Sequence, residues 1–206
     1  MSDSASFDRI RMVALDLQEN PLRSSLDEAI GGVVGTQQYI LGPSVERFET
    51  SLAAFLQVED VVGVSSGTDA LLAAFLDMEL GDGDVVLTSP FSFFSTAGSI
   101  LRTGARPVFA DIEPDSFVLD AHAVSAAVSE QTRAVVPVHL FGYPVDLSRW
   151  IDQGIGEDLP IVEDAAQAIG AANPSHVCGT SGRYGCFSFF PTKNLGAMGD
   201  GGAIAC

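Results

Sequence analysis

Short apolar runs alternate with helical segments along most of this chain, and that alternation limits its folds more than any other feature. Val61–Val64, Val85–Thr88, Pro107–Asp111, Ala134–His139, Pro160–Asp164, Gly185–Phe190 and Gly202–Cys206 read as strands. Between them lie helical stretches at Asp69–Met78, with Leu72, Phe75 and Leu76 inward, and at 93–102, ended by Gly104. An Asp120-capped helix follows Pro107–Asp111, and Gly81–Asp84 forms a turn. Two further helices precede the first strand, at 24–34 and 44–57. Ser44 is the expected N-cap of the second, which carries Val45, Phe48, Leu52, Phe55 and Leu56 on its apolar face. Such alternation predicts an α/β fold in three layers, a mostly parallel sheet with helices on both faces. Ligands of such sheets sit just beyond the strand ends.

The 206 residues are 47% hydrophobic and 18% charged, enough apolar material for a buried core. Ten basic and twenty-seven acidic side chains give a net charge of −17, which excludes nucleic acid and anionic membrane as partners, since both need a basic face. Cys178, Cys186 and Cys206 lack metal-ligand or disulfide-framework spacing, and the three histidines form no paired motif, so no metal site is expected. The N-terminus has acids where a signal peptide carries basic residues, and no apolar run reaches the length of a membrane span. A reduced, cytoplasmic setting is the expectation.

Nine of the ten cations are arginine; the tenth is Lys193. Arginine replaces lysine as a surface charge, but only an amine can form an imine with an aldehyde. Lys193 follows an apolar strand in Ser188-Phe189-Phe190-Pro191-Thr192-Lys193-Asn194, where partial desolvation favours the free amine. Three other strand ends carry compatible groups. Ser65-Ser66-Gly67-Thr68-Asp69 leads from a strand into a helix whose first N–H groups can hold a phosphate, although Ser66 and Asp69 equally form a capping box. Phe91-Ser92-Phe93-Phe94 offers an aromatic plate or, read plainly, core. Glu163-Asp164-Ala165-Ala166-Gln167 sets a carboxylate at the end of a buried strand, either to meet a cationic ring nitrogen or to cap a helix. Together these are the protein parts of a pyridoxal 5'-phosphate (PLP) site.

Ser66–Leu71, Val162–Gly170 and Phe187–Gly196 resemble the signatures of the DegT/StrS family of PLP-dependent sugar-nucleotide aminotransferases, which have the fold type I architecture. Arg106–Ile112, Pro137–Gly142 and Gly199–Gly202 resemble further family segments in the same order. The resemblance implies Lys193 as the lysine that holds PLP and Asp164 as partner of its ring nitrogen, the two catalytic residues. It implies Phe93 stacked on the ring, Gln167 at the ring hydroxyl, and Gly67, Thr68 and Ser188 at the phosphate. It also implies transfer of an amino group from glutamate to a nucleotide-linked keto sugar, in a homodimer. The −17 charge sits awkwardly with so anionic a substrate. Residues 1–23 read as an N-terminal arm and 24–206 as the PLP-binding large domain. The chain stops inside a strand, so the expectation is an incomplete large domain with the family's small C-terminal domain missing. The alternative is a truncated or non-catalytic PLP-fold protein with a regulatory or remnant role.

Overall fold

The computed structural model describes residues 11–151, 155 and 159–206; the first ten residues of the predicted arm lie outside these. The chain divides into two units, 1–44 and 45–206. In the first, α1 (Leu15–Glu19) and a 3-10 turn (Asn20–Leu22) occupy part of the predicted arm, where no element was expected. They are followed by α2 (Arg23–Thr36), which ends on Gln37 in the left-handed conformation. Neither helix buries a residue. Helix α3 spans Pro43–Leu56. Its first turn already contains Pro43, whose fixed φ and missing N–H suit that position, so Ser44 lies inside the helix and is not the expected cap.

The second unit holds β1 (Val61–Val64), α4 (Gly67–Asp77), β2 (Val85–Thr88), α5 (Phe94–Thr103), β3 (Arg106–Phe109), α6 (Ala121–Ala127) and β4 (Thr132–Val136). After these come α7 (Ser148–Ile151), β5 (Val162–Asp164), β6 (Tyr184–Ser188) and β7 (Gly202–Ala205). One ladder runs β1-β7-β6-β5 and the other β3-β2-β4. Parallel bridges Val135–Ile161 and Val138–Asp164 join them into seven strands ordered β1-β7-β6-β5-β4-β2-β3. Every pairing is parallel except those of β7, which runs against both β1 and β6. The sheet is mostly parallel, as the alternation predicted.

Strand periodicity sends alternate side chains to opposite layers. Val86, Val136, Val162, Cys186 and Ile204 pack with Ala70, Leu71, Phe75 and Ile100 of α4 and α5 on one face. Val85, Leu87 and Val135 meet Val124 and Trp150 of α6 and α7 on the other. On the β6–β7 side of that face, Phe187, Ala203 and Ala205 meet Leu52 and Leu56 of α3. The alternation within β5 decides the chemistry. With Val162 on the α4–α5 side, the consecutive acids Glu163 and Asp164 must point to opposite layers.

Two expectations need correction. The inward stripe of α4 is Ala70, Leu71, Ala74 and Phe75, and Leu76 is 56% exposed. The helix starts at Gly67, two residues early, and small alanines let its backbone approach the sheet. On α3 only Leu52 and Leu56 are buried, and Phe48 and Phe55 are exposed. The Asp120 cap forms through the His122 N–H at 2.7 Å, and Gly104 ends α5 with φ 94°.

Candidate active site

The parallel strands end on one side of the sheet, and β7, running the other way, begins there. A cavity of about 540 Å³ opens on that side, and all seven predicted residues line it: Gly67, Thr68, Phe93, Asp164, Gln167, Ser188 and Lys193. They come from the ends of β1, β2, β5 and β6.

Ser66 caps α4 through the Asp69 N–H at 3.0 Å, and Asp69 in turn accepts from Ser65 and Ser66. Those two hydroxyls, ahead of the Arg102 charge, hold the Asp69 carboxyl below its usual range. The cap leaves the first-turn N–H groups of Gly67 and Thr68 without partners inside the helix, so capping and anion binding are compatible here. Close approach makes glycine necessary at two points. A Cβ on Gly67 would lie 2.6 Å from the Ser188 Cβ, and one on Gly202 would lie 2.4 Å from the Ser66 carbonyl. These contacts seat the start of α4 beside the end of β6.

Asp164 is 5% exposed. Its Oδ2 accepts from the Thr96 hydroxyl at 2.8 Å and its Oδ1 from the Ala166 N–H at 3.2 Å. No helix follows it, so the capping alternative falls. Burial pushes its carboxyl above the usual carboxylate range, opposed by the Thr96 and Ala166 hydrogen bonds and the Lys193 charge. A carboxyl kept in so dry a place suits a cationic partner.

The Phe141 N–H donates to Gln167 Oε1 at 2.8 Å, which fixes the amide and leaves its NH2 as the available donor. Phe141 presents that N–H from a left-handed conformation, φ 54°, unusual for a non-glycine residue and found at sites where surrounding structure enforces it. Lys193 stands in a turn held by its N–H on the Phe190 carbonyl at 2.8 Å. It borders both this cavity and a neighbouring one of about 600 Å³ lined by Phe141, Gln167, Gly170 and Asn194. Phe93 precedes α5 and is 74% exposed, so its ring is available to a ligand and not core.

Sequence reasoning missed the network behind this wall. Glu163 is fully buried, and its Oε2 accepts from His139 Nε2 and the Gly179 N–H, both at 2.8 Å. Its Oε1 accepts from the Ser181 and Gly182 N–H groups at 2.7 and 2.6 Å. The Val145 N–H donates to His139 Nδ1 at 3.0 Å, so the ring proton sits on Nε2. Burial alone would raise Glu163; the His139 hydrogen bond and the loop N–H groups outweigh it and hold the carboxyl below its usual range. His139, Glu163 and His176 bring three ligand atoms within 4.8 Å of one another. Since His139 and Glu163 are committed to these bonds, the group fits a structural network and not a metal ion. Adjacent acids on an apolar strand, and a histidine closing another, were the available signals. Thr96 left none, because its partner lies 68 residues away.

A "Pleiotropic regulatory protein" of Geobacillus stearothermophilus is 42% identical over 95% of this chain and 52% of its own length. The UDP-N-acetyl-3-dehydro-alpha-D-glucosamine 3-aminotransferase of Acidithiobacillus ferrooxidans is 40% identical over 95% of this chain and 53% of its own. S. venezuelae DesV, solved with a ketimine intermediate, superposes with a TM-score of 0.91 at 38% identity, covering 96% of this chain and 53% of that one. Bacillus subtilis NtdA, solved with bound cofactor PMP, gives 0.89 at 29%, covering 99% and 46%. The chain thus spans about half the length of the relatives it matches. The model of the DegT/DnrJ/EryC1/StrS aminotransferase family matches residues 22–206, and the chain belongs to that family.

Proposed function

We propose that this chain is the cofactor-holding part of a PLP-dependent aminotransferase that moves an amino group from an amino acid, glutamate, to a nucleotide-linked keto sugar. The observation that carries the reading is the convergence of a lone lysine, a buried carboxylate, an oriented amide and a helix N-terminus on one cavity. The donor set fits the cofactor's chemistry group by group. The Gly67 and Thr68 N–H groups with the Ser188 hydroxyl would hold its phosphate, Asp164 its ring nitrogen, the Gln167 NH2 its ring oxygen and Phe93 its face. Lys193 would hold its aldehyde carbon. When bound, the group supplies the electron sink that lets a C–H bond beside nitrogen ionise.

The residues themselves do three things. Lys193 Nζ, which borders both cavities, would serve as general base and acid, moving a proton from the donor's carbon to the cofactor in one half of the reaction and from the cofactor to the acceptor's carbon in the other. Asp164 keeps negative charge against the ring nitrogen, where burial makes that interaction strong. Phe93 and Phe190, which line the same cavity, would lie against the bound cofactor and shield it from water. The relatives named as aminotransferases of UDP- and dTDP-linked sugars support the substrate class. A homodimer in a cytoplasmic setting completes the reading; no helix among the described residues is long and apolar enough to cross a membrane. Residues 1–23 as an arm and 24–206 as the PLP-binding large domain remain part of the same proposal.

The test is turnover of the full-length protein with PLP, glutamate and a UDP- or dTDP-linked keto sugar, followed by mass spectrometry of the sugar product. Formation of the amino sugar with release of 2-oxoglutarate is the expected result. A protein that binds PLP but leaves both substrates unchanged would favour the regulatory alternative.

A further inference from the structure

Behind Asp164 stands a chain of hydroxyls that no motif announced. Thr96, on the first turn of α5, is 1% exposed, and its Oγ1 donates to Asp164 Oδ2 at 2.8 Å. Ser92 Oγ lies 2.8 Å from the same Thr96 oxygen. A threonine hydroxyl has one proton, and here the carboxylate takes it, so Ser92 must be the donor in the second contact. The hydrogen bonds therefore run one way, Ser92 to Thr96 to Asp164. A proton placed on Oδ2 would face the Thr96 proton, and the relay would have to reverse along its whole length. The second carboxylate oxygen is engaged by the Ala166 N–H.

We propose that Thr96, backed by Ser92, is a positioning residue that favours the ionised form of Asp164 and holds the carboxylate in its orientation toward the cavity. Its consequence for the cofactor rests on the reading of Asp164 as partner of the ring nitrogen. Burial pushes this carboxyl toward its neutral form, and the Thr96 hydroxyl is the largest influence opposing it. Among the described residues the titratable groups around Asp164 are few: Glu163 before it on β5, Cys186 paired with it on β6, His139 beyond β4, and Lys193. Of these, Cys186 is itself pushed well above the ordinary thiol range, so it stays neutral near pH 7. Lys193, once bonded to a cofactor, is no longer available as a simple ammonium. The hydroxyl relay and the Ala166 N–H are then the supports that persist, and of the two the Thr96 hydroxyl is the larger.

The test reads Asp164 directly. The full-length protein, freed of cofactor, is labelled with 13C at its aspartate carboxyls, and the Asp164 signal is assigned by its loss in Asp164→Asn. Thr96→Val keeps the volume and removes the hydroxyl; the Asp164 midpoint is expected to rise by about one pH unit, a tenfold change in proton affinity. Thr96→Ser should restore it, and Ser92→Ala should raise it by less. An unchanged midpoint in Thr96→Val, or failure of Thr96→Ser to restore it, overturns the proposal. If Thr96→Val does not fold, Ser92→Ala decides, and no shift there overturns it equally. Adding PLP separates the two claims. A shifted Asp164 midpoint with wild-type PLP affinity and absorbance leaves the relay standing and removes Asp164 as the ring's partner.

Discussion

Replacing Glu163 by glutamine tests the buried network that fixes the wall of the cavity. The substitution keeps the shape of the side chain and converts one acceptor oxygen into an NH2 donor. One oxygen of Glu163 meets the Ser181 and Gly182 N–H groups, and the other meets His139 Nε2 and the Gly179 N–H. Either orientation of the new amide therefore points its NH2 at two donors. A tautomer change on His139 gives no escape, because the proton would move to Nδ1 and confront the Val145 N–H. Turned toward Ser181 and Gly182 the NH2 faces donors that solvent partly reaches, so that orientation costs less, and two N–H groups lose their acceptor at about 1–2 kcal/mol each. The expected loss is about 2–4 kcal/mol, or roughly 8 °C in melting temperature for a chain of this size. Its pH dependence has a definite sign. The folded-state pKa of Glu163 is lowered, so its contribution is present above the unfolded value of about 4.3 and is lost as pH falls through the folded one. Urea unfolding of both proteins at pH 7 and near pH 4 should show a large gap that narrows in acid. Equal midpoints at pH 7 would refute the reasoning, and a gap that widens in acid would refute its electrostatic part.

Asp164→Asn removes a buried charge whose folded-state pKa is raised, and such a group costs more stability as pH climbs through that value. The cofactor-free variant should outlast the wild type in thermal unfolding near pH 7, with the advantage fading in acid, while turnover falls by about 100-fold because a charge-assisted bond is lost. Gly67→Ala places a methyl 2.6 Å from the Ser188 Cβ. It should weaken PLP by at least about tenfold, roughly 1.4 kcal/mol, in an absorbance titration, since α4 must back away from the phosphate position.

The strands were legible because each is a short apolar run between turn residues, and the structure places their ends within three residues of the expected positions. The direction of β7 was not legible. Gly202–Ala205 reads the same whether it runs with or against β6, and only tertiary pairing decides. Leu76 misled because apolar character marks candidates for burial while the position of the helix start sets which face turns inward. Lys193, Asp164 and Gln167 stood out since each is chemically costly or rare where it sits. Thr96 and Ser92 did not, since Phe94-Ser95-Thr96-Ala97-Gly98-Ser99 is an ordinary run of small helix residues until β5 is brought against it. His139 and Glu163 were each visible alone, but their pairing spans 24 residues and is written in no local pattern.

The most direct measurement of the central claim is chemical. Residues 1–206 hold a single lysine, so a label on a side-chain amine within them can only be on Lys193. Borohydride reduction of the PLP-loaded full-length protein, followed by peptide mapping, should place the pyridoxyl group on Lys193 at close to one per chain. Lys193→Arg should keep the positive charge and lose the label. A pyridoxyl group found only on the terminal amine, or equal labelling of Lys193→Arg, would contradict the account.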